Sequence, residues 1–139
     1  MVDKQTIMKR ISMIERCLLV LEKTKEKELK VYINDFREQL ASERALQIAI
    51  EACIDIGTHI ISARKFRRPT DYADVFMILH EENVLSSEIT EKLTKMARFR
   101  NRLVHAYLSL DQEVVFSIIN ENLDDFRMFL SEIALLFAT

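Results

Sequence analysis

The chain has 139 residues, 49% of them hydrophobic and 30% charged, with a formal net charge of −2. That length suits one domain with one core, and the balance excludes a disordered chain and a globally basic nucleic-acid binder. A single Gly and a single Pro exclude turn-rich sandwiches, barrels and glycine-rich phosphate loops, so nearly every segment is expected to be helix or short connector.

In chain order, Ile7, Ile11, Ile14, Leu18 and Leu21 recur in steps of four and three. This predicts an amphipathic helix over about residues 3–27, with Lys23, Lys25 and Lys27 near its carbonyl pole. Asn34 is a plausible N-cap for a second helix over about residues 35–66. Its buried side is expected to include Leu40, Leu46, Ile50, Cys53, Gly57 and Ile60. Gly57 costs about 1 kcal/mol relative to Ala in mid-helix, so a close helix–helix contact is expected there, within the chain or with a second subunit. "RRPTDY" then breaks the chain, because Pro69 disfavours helix at Arg68 and Thr70 or Asp71 can cap a new helix. That short helix, over about residues 71–82, would place Tyr72, Val75, Phe76 and Leu79 on one face. "ENVLSSE" is a connector whose Ser86 or Ser87 caps the next helix, with Glu88 in its first turn. A last helix over about residues 111–137 carries a seam of Ile119, Leu123, Phe126, Leu130, Ile133 and Phe137. The expected fold is an all-α, up-down helical bundle with the shorter pieces packed at one end, forming one domain over residues 1–139.

Cys17 and Cys53 form neither a disulfide framework nor a zinc motif, and read as free thiols. The N-terminus lacks an apolar signal core, and no apolar run is expected to reach the ~20 residues of a membrane span. The expectation is a soluble, cytoplasmic protein with no membrane partner.

The charge is unevenly distributed. Residues 61–70 contain Arg64, Lys65, Arg67 and Arg68 without an acid, and residues 94–107 contain Lys95, Arg98, Arg100 and Arg102 without an acid. The second segment, "RFRNRLVHAY", adds Asn101, His105 and Tyr107. Either segment reads equally as a solvated helix end or as a surface for a phosphate backbone. Elsewhere, Glu51, Asp55 and His59 form a polar stripe one helical turn apart on an otherwise apolar helix. Two readings are open: a satisfied hydrogen-bonded pair at a helix contact, or Asp55 and His59 supporting an active site from behind. His80, beside Glu81 and Glu82, reads as a surface residue.

A titratable imidazole near basic side chains suits phosphodiester cleavage. Histidine exchanges a proton at neutral pH, and arginine stabilises the extra negative charge of the transition state. RNA supplies its own 2′-hydroxyl nucleophile, so neither a metal nor a protein nucleophile is required. One geometric difficulty stands. Arg100 and His105 are five residues apart, roughly 140° around a regular helix. The helix could end or distort within "LVHAY", the arginine could reach around, or a second subunit could complete the site. Tyr107, seven residues from Arg100, would share its face on a continuing helix.

"RNRLVHAY" resembles the Arg-x4-His-x-Tyr motif of the HEPN superfamily, in particular the HepT-like toxins. "AIEACIDIGTHII", "RRPTDYADVFMIL", "NVLSSEITEKLTKMARFRNRLVHAY" and "VVFSIINENLDDFRMFL" follow that family's order; only the first helix is generic. The resemblance implies a homodimeric helical bundle with the motif at the dimer cleft. It implies a metal-independent ribonuclease toxin that acts on RNA without a cofactor and is controlled by a small nucleotidyltransferase antitoxin. Carried over, Arg100 and His105 are the catalytic pair and Asn101 and Tyr107 orient the substrate. Tyr107 is also the candidate site of AMP transfer, and Arg64, Arg67, Arg68, Arg98 and Arg102 are candidates for contact with the RNA backbone. The alternative is a non-catalytic helical dimer that binds a nucleotidyltransferase. A DNA-binding regulator is disfavoured, because the motif lacks a helix-turn-helix context.

Overall fold

The computed structural model describes residues 2–138, and among these it is helical throughout, without a strand. Seven α-helices follow in order: α1 Lys4–Lys25, α2 Leu29–Ile33, α3 Phe36–Ala63, α4 Tyr72–Glu81, α5 Ser87–His105, α6 Gln112–Glu121 and α7 Leu123–Leu136. A 3-10 turn, Tyr107–Ser109, joins α5 to α6.

α3 is the central element and packs on α1, α2, α4, α5 and α7. It contains a stretch long and apolar enough to cross a membrane by length and composition, contrary to the sequence-based expectation. Most of that stretch is buried within the bundle, where Ala49, Ile50, Cys53, Ile56 and Ile60 meet neighbouring helices. The α1 seam of Ile7, Ile14, Leu18 and Leu21 is buried, with Ile11 partly so. Burial pushes the Cys53 thiol well above its ordinary range, so it behaves as a small apolar side chain.

The sequence-based boundaries need four corrections. First, α2 precedes α3, and Asn34 ends α2, while Asp35 caps α3 by accepting from the Glu38 N–H at 3.1 Å. Five residues are too few to show a helical period. α2 is held instead by Tyr32, whose fully buried hydroxyl shares a 3.0 Å bond with Ser42 and donates to Gln112 of α6 at 3.0 Å. Burial raises the Tyr32 phenol to about 12. Second, Leu40 is 51% exposed, because the first turns of α3 present Glu38, Gln39 and Ser42 to α1 and α2 instead. Third, α3 stops at Ala63 rather than residue 66. Lys65 turns left-handed at φ 57°, and the Phe66 N–H closes the helix end on the Ile61 carbonyl at 3.0 Å, a role glycine usually fills. Fourth, the predicted last helix is two, broken at Asn122 (φ −121°, ψ 6°). There the Asn122 amide donates to the buried Asp125 at 3.0 Å. Ile119, Leu123, Phe126 and Ile133 are buried as expected, with Leu130 and Phe137 only partly so.

The connector that enters α4 is clamped. Arg67 donates to both oxygens of Asp74 at 2.8 and 2.9 Å and to both oxygens of Glu81 at 3.0 and 2.9 Å. The Thr70 N–H and hydroxyl also donate to Asp74. Arg67 chiefly, with Thr70 after it, holds the buried Asp74 carboxyl down at about 2, against an ordinary 3.8. A carboxyl depressed on folding stabilises the native state above its unfolded pKa and loses that contribution as pH falls through the folded one. About 1–2 kcal/mol is therefore expected to disappear between about pH 4 and pH 2, after allowance for the half-exposed arginine. Thermal melts from pH 6 to pH 2 should show a drop in wild type that Asp74→Asn, already destabilised at pH 6, largely lacks.

Candidate functional site

Ser86 caps α5 by accepting from the Ile89 N–H, and Glu132 of α7 holds Ser86 in turn through its N–H at 2.7 Å and its hydroxyl at 2.8 Å. Ile89, Leu93, Met96, Ala97, Phe99 and Leu103 bury one side of α5. Its motif residues therefore emerge at the flank and at the end of a fixed rod.

Arg100 leaves the flank toward α3 and α4. Its side chain is 17% exposed; its Nε donates to Glu51 Oε2 at 2.8 Å, and Nη2 lies 2.8 Å from the same oxygen in an ion pair. Gln47 also donates to that oxygen at 3.1 Å. Arg100 Nη1 donates to Asn101 Oδ1 at 3.2 Å, and the guanidinium carbon lies 5.1 Å from the centre of the Tyr72 ring. A carboxylate and an aromatic face thus fix the plane of the guanidinium. Arg100, Glu51 and Tyr72, with Ile54 and Asp55, line an open crevice of about 250 Å³.

His105 is the last residue of α5, and it is exposed and makes no hydrogen bond among the described residues. Its ring is open to solvent, where it can exchange protons with a bound substrate. The helix does end within "LVHAY", at Ala106 (φ −115°, ψ 32°), but only after His105. Arg100 and His105 therefore keep their separation of roughly 140° and about 7.5 Å along the axis. Within one chain, the early helix end does not bring them together. Nor does Tyr107 share the Arg100 face through a continuing helix, because it opens the 3-10 turn instead. Tyr107 is 69% exposed, beside an exposed Leu108, and its hydroxyl forms no hydrogen bond among the described residues.

The other expected residues separate into bound and free. Arg67 is not available to a phosphate backbone, since all four of its bonds go to Asp74 and Glu81. Arg64, Arg68, Arg98 and Arg102 are exposed and form no ion pair among the described residues. Asp55 and His59 share no hydrogen bond, so neither reading of them as a pair holds. Asp55 instead faces Arg10 of α1, with Arg10 Nε 3.6 Å from Oδ2, and His59 is exposed. His80 is exposed, as expected, with its Nδ1 3.0 Å from the Leu85 carbonyl.

Two residues of the crevice, Tyr72 and Glu51, and Arg10 behind it escaped the sequence-based assignment. Tyr72 was expected on the core face of α4, yet it is 48% exposed and faces Arg100. Glu51 was visible as an acid on an apolar helix, but its partner lies 49 positions away. Arg10 lies on a helix whose seam carries no sign of a site.

The ribonuclease HepT-like family model matches residues 11–133. The chain belongs to this family. A curated tRNA nuclease HepT of Aphanizomenon flos-aquae is 32% identical over 89% of this chain and 84% of its own length. An mRNA nuclease HepT of Shewanella oneidensis is 30% identical over 91% of this chain and 95% of its own length. Among solved structures, a toxin–antitoxin complex with AMP-PNP superposes with a TM-score of 0.89 at 28% identity, covering 95% of this chain and 99% of that one. The tri-AMPylated HEPN toxin of Shewanella oneidensis in complex with its MNT antitoxin superposes with a TM-score of 0.88 at 28% identity. It covers 96% of this chain and 99% of that one. The seven-helix architecture is therefore that of the HEPN toxins.

Proposed function

We propose that this protein is a metal-independent endoribonuclease toxin whose active site is completed in a homodimer and whose activity is held in check by a nucleotidyltransferase antitoxin. The observation that carries this reading is the placement of Arg100. Its guanidinium is oriented by Glu51 and Tyr72 at the mouth of an open crevice, on a helix that ends in a free His105, in a chain of the HepT-like family. The nuclease names of the relatives and the toxin–antitoxin complexes among the similar structures support it.

In this mechanism one His105 removes the proton of the RNA 2′-hydroxyl, and the 2′-oxygen attacks the adjacent phosphorus. The 5′-oxygen leaves and takes a proton from an acid. Arg100 stabilises the charge that accumulates on the phosphate oxygens. Because one chain holds Arg100 and His105 apart, a two-fold partner supplies the complementary group and a second imidazole for the acid step. Asn101 and Tyr107 orient the RNA, and Arg64, Arg68, Arg98 and Arg102 attract its backbone.

Control by AMP transfer to Tyr107 accords with its exposure. Its hydroxyl is open to an antitoxin active site, and the added phosphate would place negative charge two residues from His105, where it repels the RNA backbone. Complete modification of Tyr107 is expected to abolish cleavage, while a Tyr107→Phe variant should be refractory to the antitoxin's transferase activity. RNA cleavage that persists after stoichiometric adenylylation would refute this control.

The alternative, a non-catalytic dimer that holds a nucleotidyltransferase, draws on one observation: Glu51 already neutralises Arg100. Incubation of purified protein with total RNA in EDTA, with His105→Ala alongside, separates the two. Cleavage by wild type alone is the expected result; intact RNA in both samples favours the binding module.

A further inference from the structure

We propose that the crevice beside Arg100 is a nucleobase subsite that selects guanine in the bound RNA; this rests on the ribonuclease reading and extends it from the reaction to the sequence cut. The crevice lies between α3, α4 and α5, and its lining supplies a complementary surface for each part of a base. The half-exposed Tyr72 ring and the Arg100 guanidinium are flat surfaces of the kind on which unpaired bases stack. Ile54 supplies an apolar wall. The volume of about 250 Å³ falls below the ~300 Å³ at which pockets for drug-sized ligands begin, which suits a single ring system.

The edge of the crevice is acidic, and its acceptors are unspent. Glu51 directs Oε2 to Arg100 and Gln47, and Oε1 takes none of these bonds. The Asp55 side chain is 55% exposed, and its ion-pair partner among the described residues, Arg10 Nε at 3.6 Å, is beyond hydrogen-bonding distance. Arg10 Nε is itself buried without a hydrogen-bond partner. Glu51 and Asp55 offset Arg100 and Arg10, so the crevice carries no excess positive charge to draw in a phosphate, which is left to the Asn101 side of Arg100, where Nη1 points. The group admitted between the carboxylates is one with N–H donors. Guanine presents two adjacent donor groups, N1–H and the N2 amine, which match a carboxylate fork. Adenine and cytosine each offer a single amine at that edge, and uracil a single imino N–H. The acidic pair thus accounts for a feature that simple phosphate binding leaves unexplained.

The test uses the full-length protein carrying His105→Ala, so that RNA binds without being cut. Fluorescence anisotropy is measured with short oligouridylates containing one guanosine, adenosine, cytidine or inosine. Inosine keeps the ring and N1–H of guanine and lacks only the amine. Guanosine is expected to bind about tenfold or more tightly than inosine, as befits one hydrogen bond to a charged acceptor. Adding Asp55→Asn should bring that ratio close to one, and Tyr72→Leu should weaken all four RNAs, with Tyr72→Phe restoring them. Guanosine monophosphate should compete far less well than the oligonucleotide; equal competition would make this a free-nucleotide site and overturn the proposal. Equal binding of guanosine and inosine RNAs, or a ratio that survives Asp55→Asn, also overturns it. If wild type still cuts RNA in either case, only the subsite falls. If wild type neither cuts nor binds any RNA, the ribonuclease reading falls and the subsite with it.

Discussion

Alanine at His105 or at Arg100 is expected to reduce RNA cleavage by roughly 10²–10⁴-fold in each case, with the fold retained. The two losses have different origins. His105→Ala removes the proton-transfer group. The side chain is exposed and unpartnered, so stability should change by no more than about 0.5 kcal/mol. Arg100→Ala removes the charge that meets the phosphate and leaves Glu51 unpaired, but Glu51 is one-third exposed and can be hydrated. The stability cost should therefore stay near 1 kcal/mol. Arg100→Lys is expected to remain strongly impaired, because a point charge cannot both pair with Glu51 and lie flat over Tyr72. Cleavage rates on one RNA in EDTA, beside circular dichroism melts of each variant, make the comparison. Two alanine variants as active as wild type would remove both residues from the mechanism.

The largest effect on stability is expected at Gly57. A Cβ added there would lie 2.5 Å from Val75 Cγ1 and 3.2 Å from Leu79 Cδ1, both on α4. Val75 is buried and its branched side chain has little rotamer freedom, so the clash must be relieved by moving α4 itself. Overpacking of this kind costs about 1–3 kcal/mol, against which alanine recovers about 1 kcal/mol of helix propensity. Gly57→Ala is thus expected to lose up to about 2 kcal/mol net, and Gly57→Val to lose more, since its extra methyls enter the same contact. Urea denaturation measures both. α4 also carries Tyr72, so a displaced α4 should loosen Arg100 and lower cleavage even where the variant remains folded. Unchanged stability in Gly57→Val would show that the α3–α4 contact is softer than the structure indicates.

The two sites show how far the sequence reaches. The period of Ile7, Ile14, Leu18 and Leu21 marked α1, and Ser86 marked the start of α5, because seams and caps are local properties of a helix. α2 was not legible, since five residues carry no period and Tyr32 holds it through partners 10 and 80 positions away. The break at Asn122 was masked, because the apolar steps continue across it in register. Gly57 announced a close contact, but its neighbour emerged only when α4 was seen against α3.

By itself, the sequence determined the helical class, most of the core seams and the motif of Arg100, Asn101, His105 and Tyr107. Each of these depends on residues a few positions apart. The tertiary structure decided the rest: Arg100 faces Glu51 and Tyr72, Arg67 is spent on Asp74 and Glu81, and Asp55 turns to Arg10 rather than His59. A charged side chain has the same local pattern whether its counter-ion is a phosphate in solution or a carboxylate on another helix. Only packing determines which of them it meets.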